Sequence, residues 1–287
     1  MKSVFVLTLL LVSQLFAAEF KKEHGEYVYR DTLRFDVAAL DLKTLAVEAV
    51  NGEIKITGEQ RSSVNIEAYI EIKAEDLEEG QKYLQGFKPV VKREGDRLRI
   101  YGEYPETDWT WDDISANMDF VIVAPNQLDL DASCANGEIT AVEMNGGAKL
   151  ESANGEITFL SKEGVTGQID ASCANGEIDI DVASLNNNCE FSSANGEINV
   201  TVHNTLAGNI AASTANGEIT LALPENSSMK VSASSIVNGS ITSDWSGKHA
   251  EQMIGDEFEL VVNEGKYLVD CSSANGEIAI RKANRAN

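Results

Sequence analysis

The sequence predicts an all-β fold, a stacked β-helix-like solenoid with a capping N-terminal region that contains one short helix. Three observations predict it. The phrase Asn-Gly-Glu-Ile starts at Asn51, Asn136, Asn154, Asn175, Asn195, Asn216 and Asn275, and a variant, Asn-Gly-Ser-Ile, starts at Asn238. From Asn136 to Asn238 the steps are 18, 21, 20, 21 and 22 residues, a period at the short end of solenoid arrays. After each Asn-Gly, apolar and polar residues alternate: Ile178, Ile180 and Val182 fall on one face, and Glu177, Asp179 and Asp181 on the other. Period two with one apolar face marks a half-buried strand. Finally, Cys134, Ser152, Cys173, Ser193 and Thr214, two places before Asn136, Asn154, Asn175, Asn195 and Asn216, are all small, as a crowded corner requires. An isolated Asn-Gly between strands reads as a hairpin. Many such units at one period, each too small to bury its own face, read instead as coils stacked by parallel pairing.

Residues 1–18 combine Lys2, an apolar run from Val4 to Val12 and small residues at Ala17 and Ala18, the order of a secretory signal peptide. The run is too short to span a bilayer, and no Cys stands at the cleavage site to carry a lipid anchor. The mature chain is expected to start near Ala18 or Glu19 and to be exported and soluble, periplasmic or extracellular. Residues 19–125 form a β-rich capping region, with strands expected at 63–72, 97–101 and 117–123. A short amphipathic helix is expected over about 75–88, where Leu77, Leu84 and Phe87 recur at helical spacing. Solenoid ends expose strand edges and need such caps. The repeat solenoid then occupies 126–280, with an insert over about 243–267 and a basic tail at 281–287. Asn51 and Asn275 stand apart from the regular steps, and the strands on either side of Asn263-Glu264-Gly265 read as a hairpin.

Within the array the Asn-Gly pairs Asn136-Gly137, Asn154-Gly155, Asn175-Gly176, Asn195-Gly196 and Asn216-Gly217 mark the corners. Glycine there tolerates positive φ. Asn side chains stacked at about 4.8 Å can donate amide to amide as a ladder, a structural role. Four places before Asn, Ala132, Leu150, Ala171, Phe191 and Ala212 alternate small and large, so that neighbouring layers interdigitate.

The recurrent Ser-Ala-Asn-Gly-Glu-Ile phrase at 152–157 and 193–198 follows a signal peptide and a first strand pair reading VEAVNGEIKITG. In this the chain resembles the bacterial adhesin-like β-strand-repeat family, a domain of unknown function of the toast-rack type, over about residues 35–280. The resemblance implies a single-stranded, right-handed parallel solenoid exposed in the cell envelope, with no catalytic residues to carry over. It also implies, as one alternative, an accessory subunit of envelope sensing.

Composition narrows the chemistry. With 46 Asp and Glu against 23 Lys and Arg, the formal charge of −23 opposes nucleic acid and anionic lipid, so neither nucleic-acid binding nor membrane insertion of the mature form is expected. The three His lie far apart, and the sequence holds no GxSxG, HExxH or glycine-rich phosphate loop. The expectation is a non-enzymatic module without a cofactor, whose partner is an envelope protein or a glycan. Glu138, Glu156, Glu177, Glu197 and Glu218 form an outward column, in which like charges about 4.8 Å apart cost about 0.9 kcal/mol per pair in water. That column is either a row of Ca²⁺ or basic-partner sites, or a solvated face in which each Glu accepts from turn amides. Tyr104, Trp109 and Trp111 in YGEYPETDWTWDD either stack on a sugar, making this a carbohydrate-binding or carbohydrate-active protein, or cover the end of the solenoid. Cys134 and Cys173 share a column two coils apart, about 9.6 Å, beyond the roughly 7 Å reach of a disulfide. The four Cys are therefore expected to be buried free thiols, and no CxxC spacing indicates a metal.

Overall fold

The computed structural model describes residues 19–106, 113–251 and 255–283, the side chains at 249–251 excepted. The described chain is all-β with one short helix. It opens with the hairpin β1 (Lys21–Glu23) and β2 (Glu26–Ala38), joined by His24 and Gly25, both at positive φ as a two-residue turn between twisted strands demands. The first Asn-Gly unit follows, β3 (Thr44–Asn51) and β4 (Ile54–Glu59). An excursion then runs through β5 (Ser63–Ala74), α1 (Leu77–Gly86), β6 (Lys88–Glu94), β7 (Arg97–Glu103) and β8 (Ile114–Pro125). Asp76 starts α1 by accepting hydrogen bonds from the Glu78 and Glu79 amides at 2.8 and 3.1 Å.

Five consecutive units come next. They are β9 (Asp129–Asn136) with β10 (Ile139–Val142), β11 (Ala148–Asn154) with β12 (Ile157–Ser161), β13 (Ile169–Asn175) with β14 (Ile178–Leu185), β15 (Cys189–Asn195) with β16 (Ile198–Leu206), and β17 (Ile210–Asn216) with β18 (Ile219–Leu223). The chain continues through β19 (Met229–Asn238) and β20 (Ile241–Ser243), the hairpin β21 (Lys248–Glu251) and β22 (Asp256–Val262), and finally β23 (Tyr267–Asn275) and β24 (Ile278–Lys282).

Strands before each Asn-Gly lie in one twelve-stranded sheet and strands after it in another. Pairing between units is parallel throughout, and the antiparallel pairs are confined to the two ends. The core fills the space between the sheets. One wall is a column of eight isoleucines, Ile54, Ile139, Ile157, Ile178, Ile198, Ile219, Ile278 and Ile241, each paired with its neighbour and each buried. Facing it run Val47, Ala132, Leu150, Ala171, Phe191, Ala212, Cys271 and Ala233, where bulky Leu150 and Phe191 sit between alanines. Alternating size lets adjacent layers fill one another's gaps at interior density.

Two placements differ from the sequence-based expectation. Asn51 and Asn275, set apart by their spacing, are seated in the same stack as the rest: β3 pairs with β9 so that Asn51 opposes Asn136, and β17 pairs with β23 so that Asn216 opposes Asn275. The second concerns the expected hairpin at Asn263-Glu264-Gly265. The strands β22 and β23 do not pair with each other, because β19 lies between them, antiparallel to one and parallel to the other. The last unit therefore enters between two units that precede it in the chain, β17/β18 on one side and β19/β20 on the other. What draws it there is register: Val269, Cys271 and Ser273 fall in line with both neighbours, and each neighbour gains a parallel ladder, that with β19 broken by a register shift between Ser235 and Asn238.

Candidate functional site

Three parallel hydrogen-bond ladders hold the corner that every unit shares. In the first, Asn amides donate along the stack, from Asn136 to Asn51 at 2.9 Å, Asn154 to Asn136 at 3.0 Å, Asn175 to Asn154 at 2.9 Å, Asn195 to Asn175 at 3.0 Å, Asn216 to Asn195 at 2.9 Å and Asn275 to Asn216 at 3.0 Å. In the second, backbone amides reach the following unit: Gly137 donates to the Asn154 carbonyl and Ile139 to that of Glu156, both at 2.9 Å, and the pattern recurs along the stack. The third was not foreseen from the sequence. Cys134, Ser152, Cys173, Ser193, Thr214, Ser273 and Ser235 each donate a thiol or hydroxyl to the Gly carbonyl of the adjoining unit, at 3.1 to 3.5 Å. Smallness alone admits Ala at this position. The restriction to Ser, Cys and Thr was the available signal of a donor; Ala49, in the first unit, departs from it, and in the Asn238 unit a register shift brings Ser235 to the place where the spacing alone puts Ile236.

Close stacking also explains the glycines. A Cβ built on Gly176 would overlap the carbonyl oxygen of Gly155, and one on Gly217 that of Gly196. Backbone contact between units, more than freedom of φ, excludes every other residue there.

The acidic column runs outward from these corners, and Glu53 and Glu277 join Glu138, Glu156, Glu177, Glu197 and Glu218 in it. Three of these carboxylates are met by side chains of the described residues. Glu53 pairs with Lys55, Glu156 accepts from the Thr158 hydroxyl at 3.0 Å, and Glu177 accepts from the Asn199 amide at 2.6 Å. Among the described residues no group of three or more His, Cys, Asp or Glu is placed to hold a metal ion. One neighbour is electrostatically stressed: burial, then the charges of Glu177, Asp181 and Glu156, push the Asp179 carboxyl above its ordinary range.

On the sheet that carries β9 to β17, the residues just before each Asn leave a shallow groove of about 940 Å³. Ala135, Ala153, Ala174, Ala194 and Ala215 form its floor, with Ser133, Ser172 and Ser192 beside them. Tyr101 and Tyr104 stand at the end nearest the N-terminal excursion. Tyr104 is held there by Phe87, the residue that ends α1, with ring centres 5.1 Å apart, and burial raises its phenol pKa. The surface is concave and mostly apolar, with hydroxyls at strand spacing. Such a surface suits an extended ligand lying along or across the stack. Trp109 and Trp111, expected to contribute aromatic surface, lie outside the described residues. The four thiols are free and buried, and burial pushes that of Cys189 up to about 11, away from nucleophilic use.

No family model matches the sequence, and no curated protein does. Among solved structures the chain is similar to a candidate cell adhesion protein from Clostridium sporogenes, at 10% identity over 88% of this chain and 99% of that one, with a TM-score of 0.37. It is similar to a candidate adhesin from Bacteroides fragilis, at 14% identity over 87% and 97%, with a TM-score of 0.37. A candidate lipid binding protein from Parabacteroides distasonis gives 12% identity over 90% and 97%, with a TM-score of 0.28. Likeness of this size carries no function across. No helix among the described residues is long and apolar enough to cross a membrane.

Proposed function

We propose that this chain is an exported, right-handed β-solenoid that works without catalysis, as an adhesin-like interaction module of the cell envelope, and that it meets its partner through the alanine-floored groove. The observation that carries this reading is the groove itself: five alanines in successive units leave a continuous trough, closed at one end by Tyr101 and Tyr104. Right-handed winding follows the general preference of parallel strand crossovers. The test is adherence of beads coated with the protein to isolated envelope fractions. Filling the trough with Ala174→Trp or Ala194→Trp should abolish adherence while leaving the melting temperature within a few degrees of the parent. Undiminished adherence by both variants would move the contact surface elsewhere.

A second reading is favoured by the two tyrosines. Aromatic faces beside hydroxyls and the Glu48 and Glu151 carboxylates are the chemistry that takes a sugar ring, so the partner would be a glycan. Tyr104→Ala would then weaken glycan retention on an affinity column more than Ala194→Trp does, whereas a protein ligand lying along the whole groove would respond to both.

A further inference from the structure

Among the described residues four edges bound the two sheets, and three are blunted against further pairing. The strand β20 has three residues and β21 four, and β6 carries Pro89 between Lys88 and Val90. Short strands, proline and lysine are the usual protections of a sheet edge. The fourth edge is different. Strand β2 has 13 residues, and β1 covers only Glu26, Tyr27 and Val28, so among the described residues nothing pairs with the outer side of β2 from Tyr29 to Ala38.

Pairing fixes which backbone groups point outward. The Ala39 amide donates to the Ser62 carbonyl at 2.9 Å, in register with β2 and β5, so odd-numbered residues bond to β5 and even-numbered ones face away. Outward-facing donors and acceptors therefore sit at Arg30, Thr32, Arg34 and Asp36. The Thr32 amide is met by the Asp31 carboxylate at 2.7 Å, a side chain standing in where a neighbouring strand would accept. Leu33 and Phe35, on the other face, pack against the core and remain half-exposed.

We propose that this edge pairs antiparallel with the same edge of a second copy, which joins the two molecules through one continuous sheet. Charge selects the occupant and limits the register, since like charges directly opposite are destabilising and opposite charges are favourable. A two-fold axis at Leu33 sets Arg30, which also pairs with Glu23 and Glu71 of its own chain, opposite the partner's Asp36, twice by symmetry. An axis at Phe35 sets Arg34, which also pairs with Glu67 of its own chain, opposite the partner's Asp36, again twice. Axes at Thr32 or Arg34 oppose arginine to arginine. Both permitted axes pass through odd-numbered residues, whose Cα atoms face each other at about 4.5 Å in a non-hydrogen-bonded pair, within disulfide reach. The surface lies apart from the groove, so this pairing does not depend on the function proposed above.

The test is cysteine cross-linking with sedimentation velocity on the purified protein. Leu33→Cys or Phe35→Cys should give a covalent dimer on mild oxidation, and the variant that does so reports the axis. Thr32→Cys should not, and the four natural thiols are buried. Asp36→Arg should raise the dimer dissociation constant at least about tenfold. Thr32→Pro, which removes an outward amide bonded within the molecule only to the exposed-edge carboxylate of Asp31, should abolish pairing, while both variants keep the melting temperature within a few degrees of the parent. A monomer at about 100 μM without cross-linking at 33 or 35, or a dimer that survives both edge variants, would overturn the proposal.

Discussion

At the residue scale, the corner shows how one atom type is selected where size alone would allow another. Thr214 donates to the Gly196 carbonyl at 3.2 Å from a buried position, as Ser193 and Ser273 do to theirs. Thr214→Val keeps the shape and removes the donor, leaving the hydroxyl's acceptor without that partner. It should cost about 1 kcal/mol in urea unfolding, whereas Thr214→Ser should cost clearly less, although it removes a methyl. Equal losses would mean that the column is filled for size. Asp179 makes a second prediction. Its carboxyl is raised in the folded state, so protonation favours folding, and the ionised form costs stability at neutral pH. That cost shrinks as pH falls through the folded value and is gone below the ordinary value of about 3.9. Asp179→Asn should therefore raise the melting temperature at pH 7, with the gain disappearing under acid conditions. A pH-independent gain would point instead to the amide making new contacts with Thr158 or Asn199 across the ladder.

At the scale of elements, the informative feature is the last unit's entry between two earlier ones. Strand β19 depends on β23 for its parallel partner and has only the antiparallel β22 on its other side, whereas β17 also pairs in parallel with β15. Val269 is fully buried and faces Ile210 and Val231 in the neighbouring strands. Val269→Ala should cost about 2 kcal/mol. In native-state hydrogen exchange it should lower the protection of 229–235 and 267–273 together while leaving 130–152 unchanged. Loss confined to 267–273 would show that β19 is held mainly by its hairpin. The same element explains what was legible beforehand. Alternation at Ile178, Ile180 and Val182 and the size pattern at Leu150 and Phe191 display strand faces and layer packing, because those are set by near neighbours. Order in the stack is set by pairing across long inserts. Spacing therefore separated Asn51 and Asn275 from a ladder they share, and proximity in sequence suggested a β22 and β23 hairpin that β19 interrupts. The groove was half-visible, since its alanines repeat in the sequence, while the tyrosine wall depends on where the excursion returns.

At the scale of the whole molecule, charge is unevenly placed. Residues 126–242 hold 15 Asp and Glu against Lys149, Lys162 and Lys230, whereas the N-terminal excursion spends its arginines on ion pairs such as Arg97 with Asp131 and Arg99 with Glu48. Exposed pairs of this kind add little stability each, and the acidic excess within the array repels itself. Screening should relieve it, since the Debye length falls from about 10 Å at 0.1 M salt to about 3 Å at 1 M. Raising NaCl over that range should raise the melting temperature by a few degrees. Divalent ions separate screening from binding. A Ca²⁺ site needs six to eight oxygens. The column offers one carboxylate per unit, and those of Glu53, Glu156 and Glu177 are already engaged by Lys55, Thr158 and Asn199. Ca²⁺ and Mg²⁺ at equal millimolar concentration should therefore raise the melting temperature equally, and EDTA should not lower it. A rise specific to Ca²⁺ would mean that the carboxylates of adjacent units swing together around an ion, because only a ligand that prefers the folded stack can stabilise it.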